Sequence, residues 1–170
     1  MPVAWYTLPF MSKNPPLPAK FWKHPAHIIA LGFGAGYVPR LPGTAGTCIG
    51  VLVYLGLQHV HLYSYLAVVI VCIGLGIRVC DLTARHLGVH DHSAIVWDEI
   101  TGYLITMFMA PAGWVWVLLG FILFRLFDIW KPWPVSWADR KVRGGVGIML
   151  DDVIAGLYSL AILQLIAYLL

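Results

Sequence analysis

The chain has 170 residues, of which 60% are hydrophobic and 11% charged, against roughly 25% charged in a soluble domain, and its mean hydropathy is +0.80. These figures argue against a water-soluble globule, a disordered chain and a collagen-like chain, and for a small single-domain membrane protein. Three cysteines in or beside apolar runs (Cys48, Cys72, Cys80) leave no disulfide framework and no paired Cys-x-x-Cys zinc site, and a dispersed net charge of +3 speaks against a nucleic-acid partner.

In chain order, residues 1–25 hold six prolines and read as a proline-rich interfacial arm, with Trp5, Tyr6, Phe10, Phe21 and Trp22 as headgroup anchors. Residues 26–170 read as one membrane-embedded catalytic domain. Its first stretch, 26–38, is apolar but short and carries three glycines, which predicts an interfacial or re-entrant helix rather than a span. The charge-free run 41–77 is interrupted by Gln58-His59-Val60-His61, so two helices are expected, one ending near Leu57 and one over about 62–80. A second charge-free run, 100–124, is broken at Pro111-Ala112-Gly113; helices of adequate length are then 94–110 and 114–130. The last helix is expected to follow Asp151-Asp152, which would open it where carboxylates are favoured by the helix N-terminus, and to run charge-free to Leu170. The expected class is therefore all-α: a polytopic membrane helical bundle of about five spanning helices plus the short N-terminal helix. All eleven Lys and Arg fall in three segments that this topology places on one face, which marks that face and the N-terminus as cytoplasmic.

The acids are the informative residues, because Asp or Glu at membrane depth costs about 2.5 to 3.5 kcal/mol and is seldom kept without a partner or a task. Asp98 and Glu99 begin one arm of the second hairpin, and Arg125 and Asp128 end the other, each about 20 Å from the turn at 1.5 Å per residue. Asp151 and Asp152 join them at that face. Five carboxylates against Arg125 and Lys131 repel one another, and a hard divalent cation with oxygen ligands, such as Mg²⁺, relieves the repulsion. The competing structural reading pairs Arg125 with Asp128 at i,i+3 and leaves Asp151 as a cap. His90 and His92 are open between a proton-transfer or ligand role and a polar capping loop, whereas His59, His61 and His86 read as interfacial side chains. Two glycine-bearing loops, Arg40 to Thr47 with Thr44 inside it and Arg140 to Gly147, could present backbone N–H groups and cations to the phosphate of a lipid. Cys72 with Arg78, and the glycines from Gly32 to Gly36, do not lie in the loop or strand–helix contexts that phosphatase or dinucleotide motifs need.

Taken as strings, Asp91-His92-Ser93-Ala94-Ile95-Val96-Trp97-Asp98-Glu99, then Phe124 to Pro134 (FRLFDIWKPWP), then Gly144 to Asp152 (GGVGIMLDD), resemble the signature blocks of the bacterial phosphatidylglycerophosphatase A family. The loop Pro42-Gly43-Thr44-Ala45-Gly46-Thr47 matches as well, with Thr47 where many members carry Ser, and the likeness covers about residues 25–160. The resemblance implies a Mg²⁺-dependent phosphatase of the bacterial inner membrane that converts phosphatidylglycerophosphate to phosphatidylglycerol. It implies a site of Asp98, Glu99, Asp128, Asp151 and Asp152, with Arg125 and Lys131 beside them. Within that site we expect the metal on the acids, phosphate contacts from Arg40, Thr44, Arg125 and Lys131, and a proton taken from the attacking water by an acid or by His92. The rival class is a small cation- or proton-coupled transporter, for which acids strung along a pathway are expected. Oligomeric state leaves no readable mark.

Overall fold

A computed structural model describes residues 16–170, so the anchors Trp5, Tyr6 and Phe10 lie outside the described residues. Every regular element among the described residues is a helix. A 3₁₀ turn at Ala19–Lys23 leads into α1 (Pro25–Ala30), a second 3₁₀ segment (Gly32–Tyr37), α2 (Pro42–Leu57), α3 (Leu62–Leu87), α4 (Trp97–Thr106), α5 (Trp114–Trp130), α6 (Val135–Lys141) and α7 (Gly144–Leu169).

The helix ends follow local chemistry. Pro42 opens α2 at a position where its missing N–H is not needed. His61 Nδ1 accepts from the Tyr63 N–H at the head of α3, and Gly88, at φ 71°, closes α3 in the left-handed conformation that suits glycine. The chain from Ala94 to Val96 does not join α4, contrary to the expected start near 94, because the Val96 N–H donates to Ala30 O at 2.9 Å and ties it under α1. Gly36 is pressed against this segment so closely that a Cβ would lie 2.0 Å from Ala94 O. At its other end α4 gives way to a turn in which Met109 takes φ 57°.

Two expectations are corrected. Phe21 is not a headgroup anchor: it is buried and stacks on His27 at 4.1 Å between ring centroids. α7 starts at Gly144, not after Asp152, so the Asp pair sits in its third turn and does not cap it. The glycines there form helix because α7 packs tightly on α3; a Cβ on Gly145 would lie 1.8 Å from Ile77 O.

α4 is the centre of the molecule, almost wholly buried and packed on α7, α2, α3 and α5. Its hydroxyl groups are satisfied internally: Thr101 and Thr106 donate to Trp97 O and Gly102 O, and the Tyr103 hydroxyl donates to Val117 O. Tyr54, Tyr65, Val69, Phe124 and Leu163 pack around it. The outward faces are apolar too, with Ile70 and Val71 on α3, Val115, Leu118 and Ile122 on α5, and Leu157 and Leu165 on α7 all exposed. Such faces are unstable in water and ordinary in lipid. α3 and α7, of 26 residues each, are long and apolar enough to cross a membrane, which supports a helical membrane protein. The expected count of about five spans is not carried by the helix lengths: α2 has 16 residues, α5 17 and α4 only 10, or about 24, 26 and 15 Å, against a hydrocarbon core of about 30 Å.

Candidate active site

Four segments meet at one cavity of about 240 Å³: the entry to α2 (Arg40 to Gly43), the loop before α4 with its first turn, the last turn of α5, and the third turn of α7. The entry to α2 is held by Thr47, whose hydroxyl donates to Gly43 O at 2.9 Å. Gly43 itself is dictated by proximity, since a Cβ there would lie 2.3 Å from Glu99 Oε1. α4 and α7 meet at small residues as well; a Cβ on Gly102 would approach Asp152 O to 2.9 Å, and this closeness brings Asp152 to the first turn of α4.

All five expected acids line the cavity, with Arg40, Arg125 and Lys131. They divide into two sets. Asp98, Glu99 and Asp152 each place a carboxylate oxygen within 4.8 Å of the others. Asp98 Oδ1, Glu99 Oε2 and Asp152 Oδ2 are buried without a hydrogen-bond partner. The remaining acids are ion-paired: Asp128 accepts from Arg125 Nη1, which also lies 3.9 Å from Glu99 Oε1, and Asp151 Oδ2 lies 2.7 Å from Lys131 Nζ. Lys131 is shared, with Asp139 Oδ1 at 2.5 Å on its other side. Burial works against its charge, but Asp151 and Asp139 outweigh it and hold the ammonium above its ordinary pKa. The i,i+3 pairing of Arg125 with Asp128 read from the sequence is therefore present, together with a three-carboxylate cluster that the pairing does not consume.

Sequence reasoning missed Asp91, a loop residue that lines the cavity, and Asp139, which holds Lys131 from α6. Asp91 stood within a quoted motif, so its place in the block was the available signal. Thr44 does not line this cavity. His92 is buried, its Nδ1 accepts from the Ala94 N–H at 3.1 Å, and it lines a neighbouring cavity instead. The second glycine loop does not line this cavity, and two of its N–H groups are taken within the protein, Gly144 by His90 Nε2 and Gly145 by Asp81 Oδ1, both at 3.1 Å.

Six carboxylates thus face three cations across one small cavity. This excess of negative charge opposes a dianionic phosphate, and three adjacent carboxylates, each with a buried oxygen that lacks a partner, are what a hard divalent ion takes as ligands. The donor set fits such an ion. The chain matches the family model of phosphatidylglycerophosphatase A over residues 28–167.

The chain belongs to the phosphatidylglycerophosphatase A family. The phosphatidylglycerophosphatase A of Escherichia coli is 44% identical over 146 residues, 85% of each chain. That of Haemophilus influenzae is 41% identical over 163 residues, 93% of this chain and 98% of the relative. A Bacteroides thetaiotaomicron protein under the provisional name phosphatidylinositol-3-phosphatase is 36% identical over 140 residues, 78% of this chain and 87% of its own. No solved structure matches the chain. Family membership makes this protein an enzyme, a phosphatase. The transporter alternative finds no support, as the acids converge on one cavity instead of marking a path.

Proposed function

We propose that this protein hydrolyses the terminal phosphomonoester of phosphatidylglycerophosphate to phosphatidylglycerol and phosphate, using Mg²⁺ held by Asp98, Glu99 and Asp152. The observation that carries the proposal is the excess of buried carboxylate around the cavity, four of whose oxygens, three of them on the Asp98, Glu99 and Asp152 cluster, lack a partner. The names of the two relatives above 40% identity supply the substrate. In the reaction, water adds to phosphorus, the bond from phosphorus to the glycerol oxygen breaks, and a proton reaches that oxygen as it leaves. A bound Mg²⁺ supplies charge opposite the phosphate oxygens and makes water a stronger nucleophile at neutral pH.

The chain's own residues do the rest. Arg125, between Glu99 and Asp128, orients both carboxylates and presents its guanidinium to the phosphate as negative charge grows on it. Lys131 neutralises Asp151 at the cavity wall. Deprotonation of the attacking water falls to an acid of the cluster in preference to His92, which faces the adjoining cavity. We place the site at the cytoplasmic face of the bacterial inner membrane, because the basic residues gather at the ends of the helices that carry it. In this reading α3 and α7 span, and the shorter α2, α4 and α5 complete the bundle beside them.

Phosphate release from phosphatidylglycerophosphate by detergent-solubilised protein tests the proposal. Release with Mg²⁺ that stops on chelation and returns on adding the metal is expected. Undiminished release after exhaustive chelation would refute the metal, and no release from folded, metal-supplied protein would refute the activity.

A further inference from the structure

Beside the acid-lined cavity lies a second of about 640 Å³, and the two share Arg40, Pro42 and Ser93. Its character is different. Arg40 is the one permanently charged side chain among the described residues lining it; the rest of the wall is Leu17, Gly36, Tyr37, Val38, Pro39, His92 and Ala94. Of the three cations at the first cavity, Arg125 and Lys131 are committed to carboxylates, whereas no acid among the described residues forms an ion pair with Arg40. Its backbone is held at φ 69°, an unfavourable left-handed conformation for a residue with a Cβ, which the turn into α2 imposes. Three residues earlier, the Tyr37 hydroxyl is buried and lacks a hydrogen-bond partner, its ring stacked on Trp22 at 5.0 Å. Burial pushes that phenol upward, so it remains a neutral donor. An uncommitted cation in a wall without acids, with the unmatched hydroxyl of another residue of that wall buried behind it, asks for an anion.

Resting on the phosphatase reading above, we propose that Arg40 and Tyr37 form a second anion subsite that receives the phosphodiester of the lipid headgroup while the monoester occupies the acid-lined cavity. Phosphatidylglycerophosphate carries the two phosphates on one glycerol, so a single headgroup reaches across the shared wall at Arg40. The subsite selects lipids in which the monoester is set apart from the diacylglycerol by a phosphodiester, and it disfavours phosphatidic acid, whose only phosphate is the monoester. Arg40, at the wall the two cavities share, is then a specificity-determining residue. Its contact is the same in ground state and transition state, so it acts on KM and leaves kcat nearly unchanged.

The test compares phosphate release from phosphatidylglycerophosphate and phosphatidic acid of equal acyl composition in uncharged detergent micelles, for the wild type, Arg40→Ala, Arg40→Lys and Tyr37→Phe. The wild type is expected to prefer phosphatidylglycerophosphate. Arg40→Ala is expected to raise its KM about tenfold or more with kcat within about twofold, and to raise the KM for phosphatidic acid by a clearly smaller factor. Arg40→Lys restores part of the preference, and Tyr37→Phe shifts KM in the same direction by less. Phosphatidylglycerol keeps the phosphodiester, so its inhibition of the wild type weakens in Arg40→Ala by a similar factor. An equal loss on both lipids, whether through kcat or through micelle binding, would overturn the proposal, as would a wild type that cleaves both with the same kcat/KM. Release from neither lipid would overturn the phosphatase reading itself and this subsite with it.

Discussion

Glu99 shows how narrowly the site is built at the residue scale. Its Oε1 faces the bare Cα of Gly43 and the Arg125 guanidinium, and its Oε2 is buried and unpartnered. A methyl at position 43 would stand 2.3 Å from Oε1, so Gly43→Ala must displace the carboxylate. Because about 1 Å of misplacement costs about a hundredfold in rate, Gly43→Ala is expected to lose activity on that scale while keeping its thermal stability within a few degrees. Steady-state rates beside a melting curve check this, and near-normal activity would contradict the assigned position of Glu99. Arg125→Lys is expected to lose at least about tenfold in kcat, because an ammonium cannot hold Asp128 and reach Glu99 together. The five acids were legible in the sequence because each stands out in so apolar a chain. Their division into a cluster of three adjacent carboxylates and two held tightly by Arg125 and Lys131 was not legible, since it depends on side-chain reach across three helices.

At the scale of elements, helices bounded by strong local signals were readable and those bounded by tertiary contacts were not. α5 runs Trp114–Trp130 as expected, between the Pro111-Ala112-Gly113 break and a left-handed Lys131. α7 begins nine residues before the expected 153, because glycines that read as a loop in the sequence are there to let it approach α3. Gly145→Ala, which meets the immovable Ile77 carbonyl at 1.8 Å, is expected to destabilise the protein by about 3 kcal/mol, seen as a drop in Tm. α1 and α3 are joined by a chain of hydrogen bonds. The Thr83 hydroxyl donates to Val79 O at 2.7 Å and accepts from His27 Nδ1 at 2.8 Å, which leaves His27 Nε2 to accept from His86 Nδ1 at 2.9 Å. His86, read from the sequence as an interfacial side chain, is a partner in this chain. Burial first, then His24, His86 and Lys20, push the His27 pKa down to about 4. As pH falls below 6.5 the unfolded chain binds a proton that the folded one refuses, so stability present above pH 6.5 is lost towards pH 4, by at most about 3 kcal/mol. The fall in Tm across that window should be shallower in His27→Gln than in the wild type; equal slopes would show that His27 does not titrate with unfolding.

For the whole molecule, apolar surface and charge are separated along the helices. The outer faces of α3, α5 and α7 are hydrophobic, and the carboxylates gather at one end of the bundle, around a helix too short to cross a membrane and too buried to leave it. This arrangement suits an enzyme that works on a headgroup while its helices lie among the acyl chains. The all-helical class and the meeting of the acids at one end followed from the charge pattern, but the number of long helices did not, because breaks in hydropathy do not report where a helix stops inside a packed core. Central to the proposed function is a metal held by Asp98, Glu99 and Asp152, at which the monoester is cleaved. It is tested most directly by phosphate release from phosphatidylglycerophosphate, titrated with Mg²⁺, for the wild type and Asp152→Asn. The account predicts a loss of about a hundredfold or more at saturating substrate, with a higher Mg²⁺ requirement and an unchanged fold. Wild-type rate and Mg²⁺ dependence in Asp152→Asn would contradict it.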